Sequence, residues 1–179
     1  MKKEIIISGF GGQGVMSIGK NLVEAGMAEG FHVTWAPSYG PEMRGGTANC
    51  HVVLSESEVG SPIFSRPSEL IAMNAPSLHK FEGDVLPGGT IFVNNSIIPD
   101  TVKRTDVRAV YVPCDSIAAE VGNRKVSNMV MLGAYIAATG ALKVESVREM
   151  LVHMFTGPKA KPVELNMPAP EKGGACRNG

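Results

Sequence analysis

The sequence has no excess of charge of either sign, because 17 Lys and Arg residues balance 17 Asp and Glu residues. It also has no dense basic run, which argues against nucleic acid as the main partner. A protein with little net charge is less protected from association than a highly charged one. The charge pattern therefore suits a subunit of an assembly.

Clustered cysteines are missing. The three cysteines, Cys50, Cys114 and Cys176, are widely spaced and form no CxxC pair that would hold zinc or an iron–sulfur cluster. Their odd number and wide spacing favour a reduced, cytoplasmic setting over a disulfide framework. A metal or cluster site in this chain is not expected.

Long hydrophobic runs are also missing. The apolar stretch 129–138 has only about half of the roughly 20 residues that a membrane-spanning helix needs. It therefore predicts a core helix and no membrane partner. The isoleucines at positions 5–7 are soon followed by Ser8 and glycines, so they predict a buried strand and not a signal peptide.

The sequence has enough apolar residues for one core. With 179 residues, 44% hydrophobic and 19% charged, it has the composition of one globular domain. Its pattern predicts a single α/β domain with a Rossmann-like βαβ start, a mostly parallel or mixed sheet, and flanking helices. Four prolines after position 157 predict an irregular tail, so we expect the domain at 1–157 and the tail at 158–179.

Apolar periodicity and turn residues predict the individual elements. The predicted strands cover 4–8, 32–36, 48–54, 69–73, 90–94 and 108–112. The predicted helices cover 15–29, 116–121, 128–139 and 144–155, with Asp115 and Ser127 as N-caps and glycines at positions 30 and 140 as C-terminal stops. Two prolines and three glycines at 37–46 predict a polar loop, long enough to be functional.

A glycine turn follows the first predicted strand. Gly9, Gly11 and Gly14 match G-x-G-x-x-G before a helix, where free amides and the helix dipole favour an anion. An NAD site also needs an acidic residue at the end of the second strand, and 32–36 supplies none. Two interpretations stay open: a tight packing turn, or a site for phosphate or a partner.

Two segments carry a resemblance to a known family: GFGGQG at 9–14 and SYGPEMRGG at 38–46. Together they resemble the gamma subunits of 2-oxoacid:ferredoxin oxidoreductases. The likeness runs over nearly the whole chain and includes 60–63, 127–129 and 132–133. The EMRGG form at 42–46 looks more like the 2-oxoglutarate or branched-chain type than the pyruvate type.

The resemblance implies a complex that decarboxylates a 2-oxoacid oxidatively with coenzyme A as a substrate. The products are an acyl-CoA, carbon dioxide and reduced ferredoxin. Alpha, beta and ferredoxin-like partner subunits would carry thiamine diphosphate, Mg and iron–sulfur clusters. The resemblance implies that this chain binds none of these cofactors alone and is not catalytic by itself.

The predicted ligand contacts lie in the two resembling segments and at one helix start. Arg44 is the best candidate for a carboxylate or phosphate, because its guanidinium offers two parallel hydrogen bonds. Pairing of Glu42 with Arg44 or with a neighbouring subunit is equally open. Tyr39 can anchor an interface or cap the core, and Asn128 is predicted to hydrogen-bond across the glycine turn. The full predicted site consists of Gly9, Gly11, Gly12, Gln13, Gly14, Ser38, Tyr39, Glu42, Arg44, Gly45 and Asn128.

The histidines form no convincing catalytic arrangement. His51 follows Cys50 in a predicted strand, so the two side chains should point to opposite faces of the sheet. Two other functions remain possible: a stand-alone nucleotide- or flavin-binding regulatory domain, and a scaffold without ligand contact. Copurifying subunits would favour the enzyme subunit, a bound nucleotide the regulator, and full activity after Arg44→Ala the scaffold.

Overall fold

The computed structural model of the chain describes residues 1–39 and 47–154. Within these ranges a six-stranded sheet carries helices on both faces. The strands are β1 (Lys2–Phe10), β2 (His32–Tyr39), β3 (Thr47–Ser55), β4 (Glu69–Ala72), β5 (Thr90–Asn94) and β6 (Arg108–Val112). The helices are α1 (Val15–Ala28), α2 (Ala75–Phe81), α3 (Cys114–Glu120), α4 (Ser127–Thr139) and α5 (Val144–Met154).

The sheet is mixed, and its strand order is β2-β3-β1-β4-β5-β6. The pairs β1–β4, β4–β5 and β5–β6 are parallel. Strand β3 lies between β1 and β2 and is antiparallel to both, so β1 and β2 run in the same direction. The predicted βαβ start and the predicted mixed sheet are confirmed, with β3 inserted into the unit.

The larger part of the core lies on one face of the sheet, under α1, α3, α4 and α5. The apolar positions that predicted the inner face of α1 (Val15, Ile18, Leu22 and Ala25) are all buried there. Helix α1 approaches the sheet closely at Gly19, where an added Cβ atom would lie 2.6 Å from Cys50 Sγ. A small residue at this position is therefore required by packing.

A smaller core on the other face lies beneath α2, where Leu78 and Phe81 pack against Leu70, Ile91 and Val93. This short helix was not predicted. It begins after Asn74, whose Oδ1 accepts a hydrogen bond from the Ser77 amide at 2.8 Å. An N-cap of this kind satisfies one of the amides that have no partner within the helix.

Strand β2 extends to Tyr39, so the prediction of a loop from position 37 was wrong for its first three residues. Pro37 pairs with Cys50, and Ser38 pairs with Asn49. Because β2 lies at the edge of the sheet, a proline is tolerated there. The rest of the predicted loop, 40–46, lies outside the described residues.

Both predicted N-caps were wrong. Helix α3 begins at Cys114, and Asp115 lies in its first turn, where Oδ2 accepts a hydrogen bond from Asn94 Nδ2 at 2.8 Å. Ser127 is the first residue of α4 and follows a short 3-10 helix over Arg124–Val126. A chain that already turns helically before Ser127 leaves it no role as a cap.

The C-terminal stop of α4 is confirmed, because Gly140 has the left-handed conformation with φ 60°. No helix within residues 1–39 and 47–154 is both long and apolar enough to cross a membrane. The predicted boundary between domain and tail falls outside the described residues.

Candidate functional site

The two sequence segments leave the sheet at the same edge. At the end of β1, Phe10 pairs with Thr47, and at the end of β2, Tyr39 pairs with Ala48. Both strands therefore end beside the start of β3. The carboxyl ends of β1 and β2 thus lie on either side of β3, at the same edge of the sheet. Ligand sites of open α/β sheets are commonly found at such edges.

Several predicted site residues lie in or beside the described part of this edge. These are Gly9, Gly11, Gly12, Gln13, Gly14, Ser38, Tyr39 and Asn128. Ser38 is exposed on the edge strand opposite Asn49. Glu42, Arg44 and Gly45 lie outside the described residues, so their predicted roles stay predictions.

The glycine turn needs glycines for backbone and packing reasons. Gly12 has φ 93° and Gly14 has φ 75°, which are left-handed values that favour glycine. Gly9 is buried, and an added Cβ atom there would lie 2.6 Å from Gln13 Oε1 and 2.9 Å from Met73 Cβ. Backbone conformation and contacts within the chain thus explain these glycines, which supports the packing interpretation of the motif.

Gln13 ties the turn to the neighbouring strand. Its Oε1 accepts a hydrogen bond from the Phe10 amide at 2.7 Å, and its Nε2 donates to the Met73 carbonyl at 2.9 Å. The Gln13 amide also donates to the Phe10 carbonyl at 3.2 Å. One side chain therefore joins the end of β1 to the residue that follows β4, a role that the sequence motif did not reveal.

Asn128 meets the start of α1, as expected from its placement at a helix start. It is the second residue of α4, and a Cβ atom added at Gly14 would lie 2.4 Å from Asn128 Nδ2. The two helix starts therefore approach each other at Gly14. The predicted hydrogen bond of Asn128 across the turn stays a prediction.

The first turn of α1 has no acidic residue, and its N-cap Gly14 offers no side-chain hydrogen bond. Amides at a helix start and the helix dipole give a partial positive charge there. This end of the described sheet is thus suited to a group of negative charge.

Cys50 and His51 lie on opposite faces of β3, as predicted. Cys50 is in the core beneath α1, while the His51 ring is 4.7 Å from the Phe64 ring. Burial raises the pKa of the Cys50 thiol to about 12, and the nearby Trp35 side chain offsets part of this effect. Burial lowers the pKa of His51. Cys50 is therefore a protonated thiol at neutral pH and unsuited to nucleophilic attack.

A buried polar cluster lies away from this edge, at the start of β4, and sequence reasoning missed it. Glu69 is 3% exposed; its Oε1 is 2.5 Å from Lys3 Nζ and its Oε2 accepts a hydrogen bond from the Tyr135 hydroxyl at 2.5 Å. Burial, together with the nearby Glu69 charge, raises the pKa of Tyr135 well above its usual value. Paired in this way, Glu69 links the sheet to α4.

The family model for pyruvate ferredoxin/flavodoxin oxidoreductases matches residues 4–176 of the chain. The chain belongs to this family. It is 37% identical over 158 residues to 2-oxoglutarate synthase subunit KorC of Methanothermobacter marburgensis, covering 84% of this chain and 85% of the relative. The resemblance to gamma subunits of 2-oxoacid:ferredoxin oxidoreductases, drawn from the two sequence segments, is confirmed.

Another relative in this family is longer. The ketoisovalerate oxidoreductase subunit VorA of the same organism is 44% identical over 169 residues, which cover 93% of this chain and 35% of VorA. This chain thus corresponds to about a third of VorA. The 2-oxoglutarate and branched-chain types of relative agree with the type indicated by the EMRGG form.

Solved structures of this family share the fold. The gamma subunit of the keto/oxoacid ferredoxin oxidoreductase from Geobacter sulfurreducens is 28% identical, with a TM-score of 0.84 over 98% of this chain and 95% of that one. The 2-oxoglutarate:ferredoxin oxidoreductase from Magnetococcus marinus is 23% identical, with a TM-score of 0.88 over 98% of this chain and 31% of that one. The second likeness concerns the fold alone.

Proposed function

We propose that the chain is the gamma-type subunit of a cytoplasmic 2-oxoacid:ferredoxin oxidoreductase complex. The complex decarboxylates a 2-oxoacid oxidatively with coenzyme A, forms an acyl-CoA and carbon dioxide, and reduces ferredoxin. Alpha, beta and ferredoxin-like subunits carry thiamine diphosphate, Mg and iron–sulfur clusters. The gamma-type chain carries none of these cofactors and completes the assembly.

Membership of the family supports this proposal. Within residues 1–39 and 47–154, no three His, Cys, Asp or Glu side chains are grouped as a metal site. Cys50 is buried and protonated, and His51 faces the other side of the sheet.

The observation that carries the proposed binding role is the common edge at which β1 and β2 end. There the start of α1 has a partial positive charge and no acidic residue in its first turn. The segment that follows Tyr39 contains Arg44, a guanidinium able to hold a phosphate through two parallel hydrogen bonds. The phosphates of coenzyme A fit such a rim, as would an acidic surface of a partner subunit.

The proposed site divides into residues that contact the ligand and residues that shape the edge. The contacts come from the exposed turn at Gly11 and Gly12 and from the second segment, which contributes Ser38, Tyr39, Glu42, Arg44 and Gly45. Gly9, Gln13, Gly14 and Asn128 hold the turn and the two helix starts in place.

The test is Arg44→Ala in the purified complex, with Arg66→Ala as the matched control. Arg66 is exposed just before β4, at the opposite edge of the sheet. We expect Arg44→Ala to raise the KM for coenzyme A by about ten- to a hundredfold, since a hydrogen bond to a charged group contributes about 1.5–3 kcal/mol. Arg66→Ala should leave that KM unchanged.

The assay follows reduction of a ferredoxin or a viologen dye with several 2-oxoacids, and 2-oxoglutarate and branched-chain 2-oxoacids are expected to be the best substrates. If Arg44→Ala left assembly, turnover and the coenzyme A dependence all unchanged, the proposed contact would be wrong. If the chain failed to copurify with partner subunits that were active without it, the subunit role itself would fail.

A further inference from the structure

Helix α4 has little in its apolar pattern that fixes its rotation about its own axis. Every residue from Met129 to Ile136 is buried, so the helix is enclosed on all sides over about two turns. A surface helix has an apolar stripe and a polar face, and the boundary between them decides which side faces the core. This stretch of α4 has no polar face, so hydrophobic burial alone does not select one rotation.

One polar group lies within this stretch, the Tyr135 hydroxyl. It donates a hydrogen bond to Glu69 Oε2 at 2.5 Å, and Glu69 Oε1 is 2.5 Å from Lys3 Nζ. Tyr135 and Glu69 are both buried, so water cannot replace either partner of the bond. Rotation of α4 by one residue, about 100°, would separate the hydroxyl from the carboxylate at the cost of leaving buried polar atoms unpaired.

Asn128 lies on the same side of α4 as Tyr135, about two helical turns earlier. Its side chain lies against the start of α1, because a Cβ atom added at Gly14 would be 2.4 Å from Asn128 Nδ2. A rotation of α4 that separated Tyr135 from Glu69 would also carry Asn128 away from Gly14. The contact at the candidate site is therefore coupled to the buried bond through the helix.

We propose that Tyr135 is a positioning residue of the candidate site, whose hydrogen bond to Glu69 fixes the rotation of α4 and so holds Asn128 against Gly14. A buried polar pair can specify one arrangement of packed elements even where it adds little to stability. The inference concerns placement within the chain. It goes beyond the proposed function and does not depend on the binding of coenzyme A.

The experiment separates placement from stability in the purified complex. The double variant Glu69→Leu/Tyr135→Phe replaces the polar pair by apolar side chains, and the Lys3 side chain, 25% exposed, can turn to solvent. Glu69→Gln keeps an oxygen that accepts from Tyr135 and serves as the conservative control. Thermal unfolding measures stability, and hydrogen exchange of α4 and of the start of α1 measures placement. Helix α2, on the other face of the sheet, is the internal reference.

We expect the double variant to keep a Tm close to that of the wild type, because removal of both partners leaves neither of them unpaired. Exchange in α4 and at the start of α1 should nevertheless be about tenfold or more faster, with α2 unchanged. Glu69→Gln should exchange at the wild-type rate. A purely structural role for Tyr135 would instead make exchange follow Tm across the variants.

Wild-type exchange of α4 in the double variant would overturn the inference, and so would equal acceleration in α4 and α2. Acceleration in Glu69→Gln as large as in the double variant would exclude the hydrogen bond as the cause. If the double variant does not assemble, Tyr135→Phe removes only the hydroxyl and leaves the pair of Glu69 and Lys3 in place. The comparison of α4 with α2 then decides in the same way.

Discussion

Replacing Gly14 by alanine should destabilise the fold in two ways, through an unfavourable backbone conformation and through a steric clash with Asn128. Comparison with Gly12→Ala separates the two. Gly14 has φ 75°, and an added Cβ atom would lie 2.4 Å from Asn128 Nδ2, 2.7 Å from its Cγ and 2.9 Å from its Cβ. Gly12 has φ 93°, but an added Cβ atom there meets nothing within 4 Å. Gly12→Ala therefore tests the backbone conformation alone, and Gly14→Ala tests backbone and packing together.

The expected loss of stability follows from these contacts. A left-handed conformation costs a residue with a side chain about 1–2 kcal/mol, so Gly12→Ala should lower the free energy of unfolding by about that amount. Forcing an extra methyl group into a packed site costs about 1–3 kcal/mol more. Gly14→Ala should therefore lose about 2–5 kcal/mol in total, because α4 has to move away from α1 at Asn128.

Urea denaturation of the purified chain measures both values, and an Asn128→Gly background tests the cause. Glycine at position 128 has none of the three Asn128 atoms that the added Cβ would meet. In that background Gly14→Ala should therefore cost no more stability than Gly12→Ala, about 1–2 kcal/mol. Equal losses for Gly12→Ala and Gly14→Ala in the wild-type background would refute the packing argument. So would a Gly14→Ala loss that Asn128→Gly did not relieve.

Two further predictions concern buried polar groups. Tyr135→Phe removes the hydrogen bond to the buried Glu69 carboxylate but keeps the aromatic ring against Phe92. It should therefore lower the free energy of unfolding by about 1.5–3 kcal/mol and Tm by about 3–10 °C. An unchanged thermal melt would contradict this prediction. Burial lowers the pKa of His51 below its ordinary 6.5. As the pH falls, the unfolded chain therefore binds a proton at His51 before the folded chain does. Stability should decrease as the pH falls from about 6.5 towards the pKa of His51 in the folded state. Urea unfolding at about pH 7.5 and about pH 5.5 should show a smaller pH effect in His51→Gln than in wild type, and equal pH effects would exclude His51 as a source.

Elements with a strong local pattern could be predicted from the sequence. Strands β5 and β6 have the bounds that were predicted, because β-branched residues there are enclosed by clear turn residues. Helix α1 follows from its apolar spacing, and the end of α4 follows from Gly140. In each case the residues that decide the structure lie within the element.

Features that depend on distant residues could not be predicted. The insertion of β3 between β1 and β2 is a property of tertiary packing. Pro37 seemed incompatible with a strand because only the sheet order reveals that β2 is an edge. The Asp115 carboxylate accepts a hydrogen bond from Asn94, which is 21 residues away, and does not cap the start of the helix as predicted.

The sequence predicted which segments form the candidate site, and its ligand contacts stay predictions. The carboxyl edge follows from the βαβ pattern, and Gln13 and Asn128 were among the predicted residues. The bond from Gln13 to Met73 spans 60 positions, and no local motif reveals it. Arg44 and its neighbours lie outside the described residues, so their contact with a ligand rests on the mutational test.

Pro37 in the outer strand also affects how a newly made chain behaves before it meets other subunits. An open strand edge is a template on which a second chain can add by backbone pairing, and proline is one device that interrupts such a template. At the other margin of the described sheet, β6 has only five residues. Within the described sheet, both edges thus offer little continuous backbone for self-addition, and we expect this to limit aggregation of the unassembled protein.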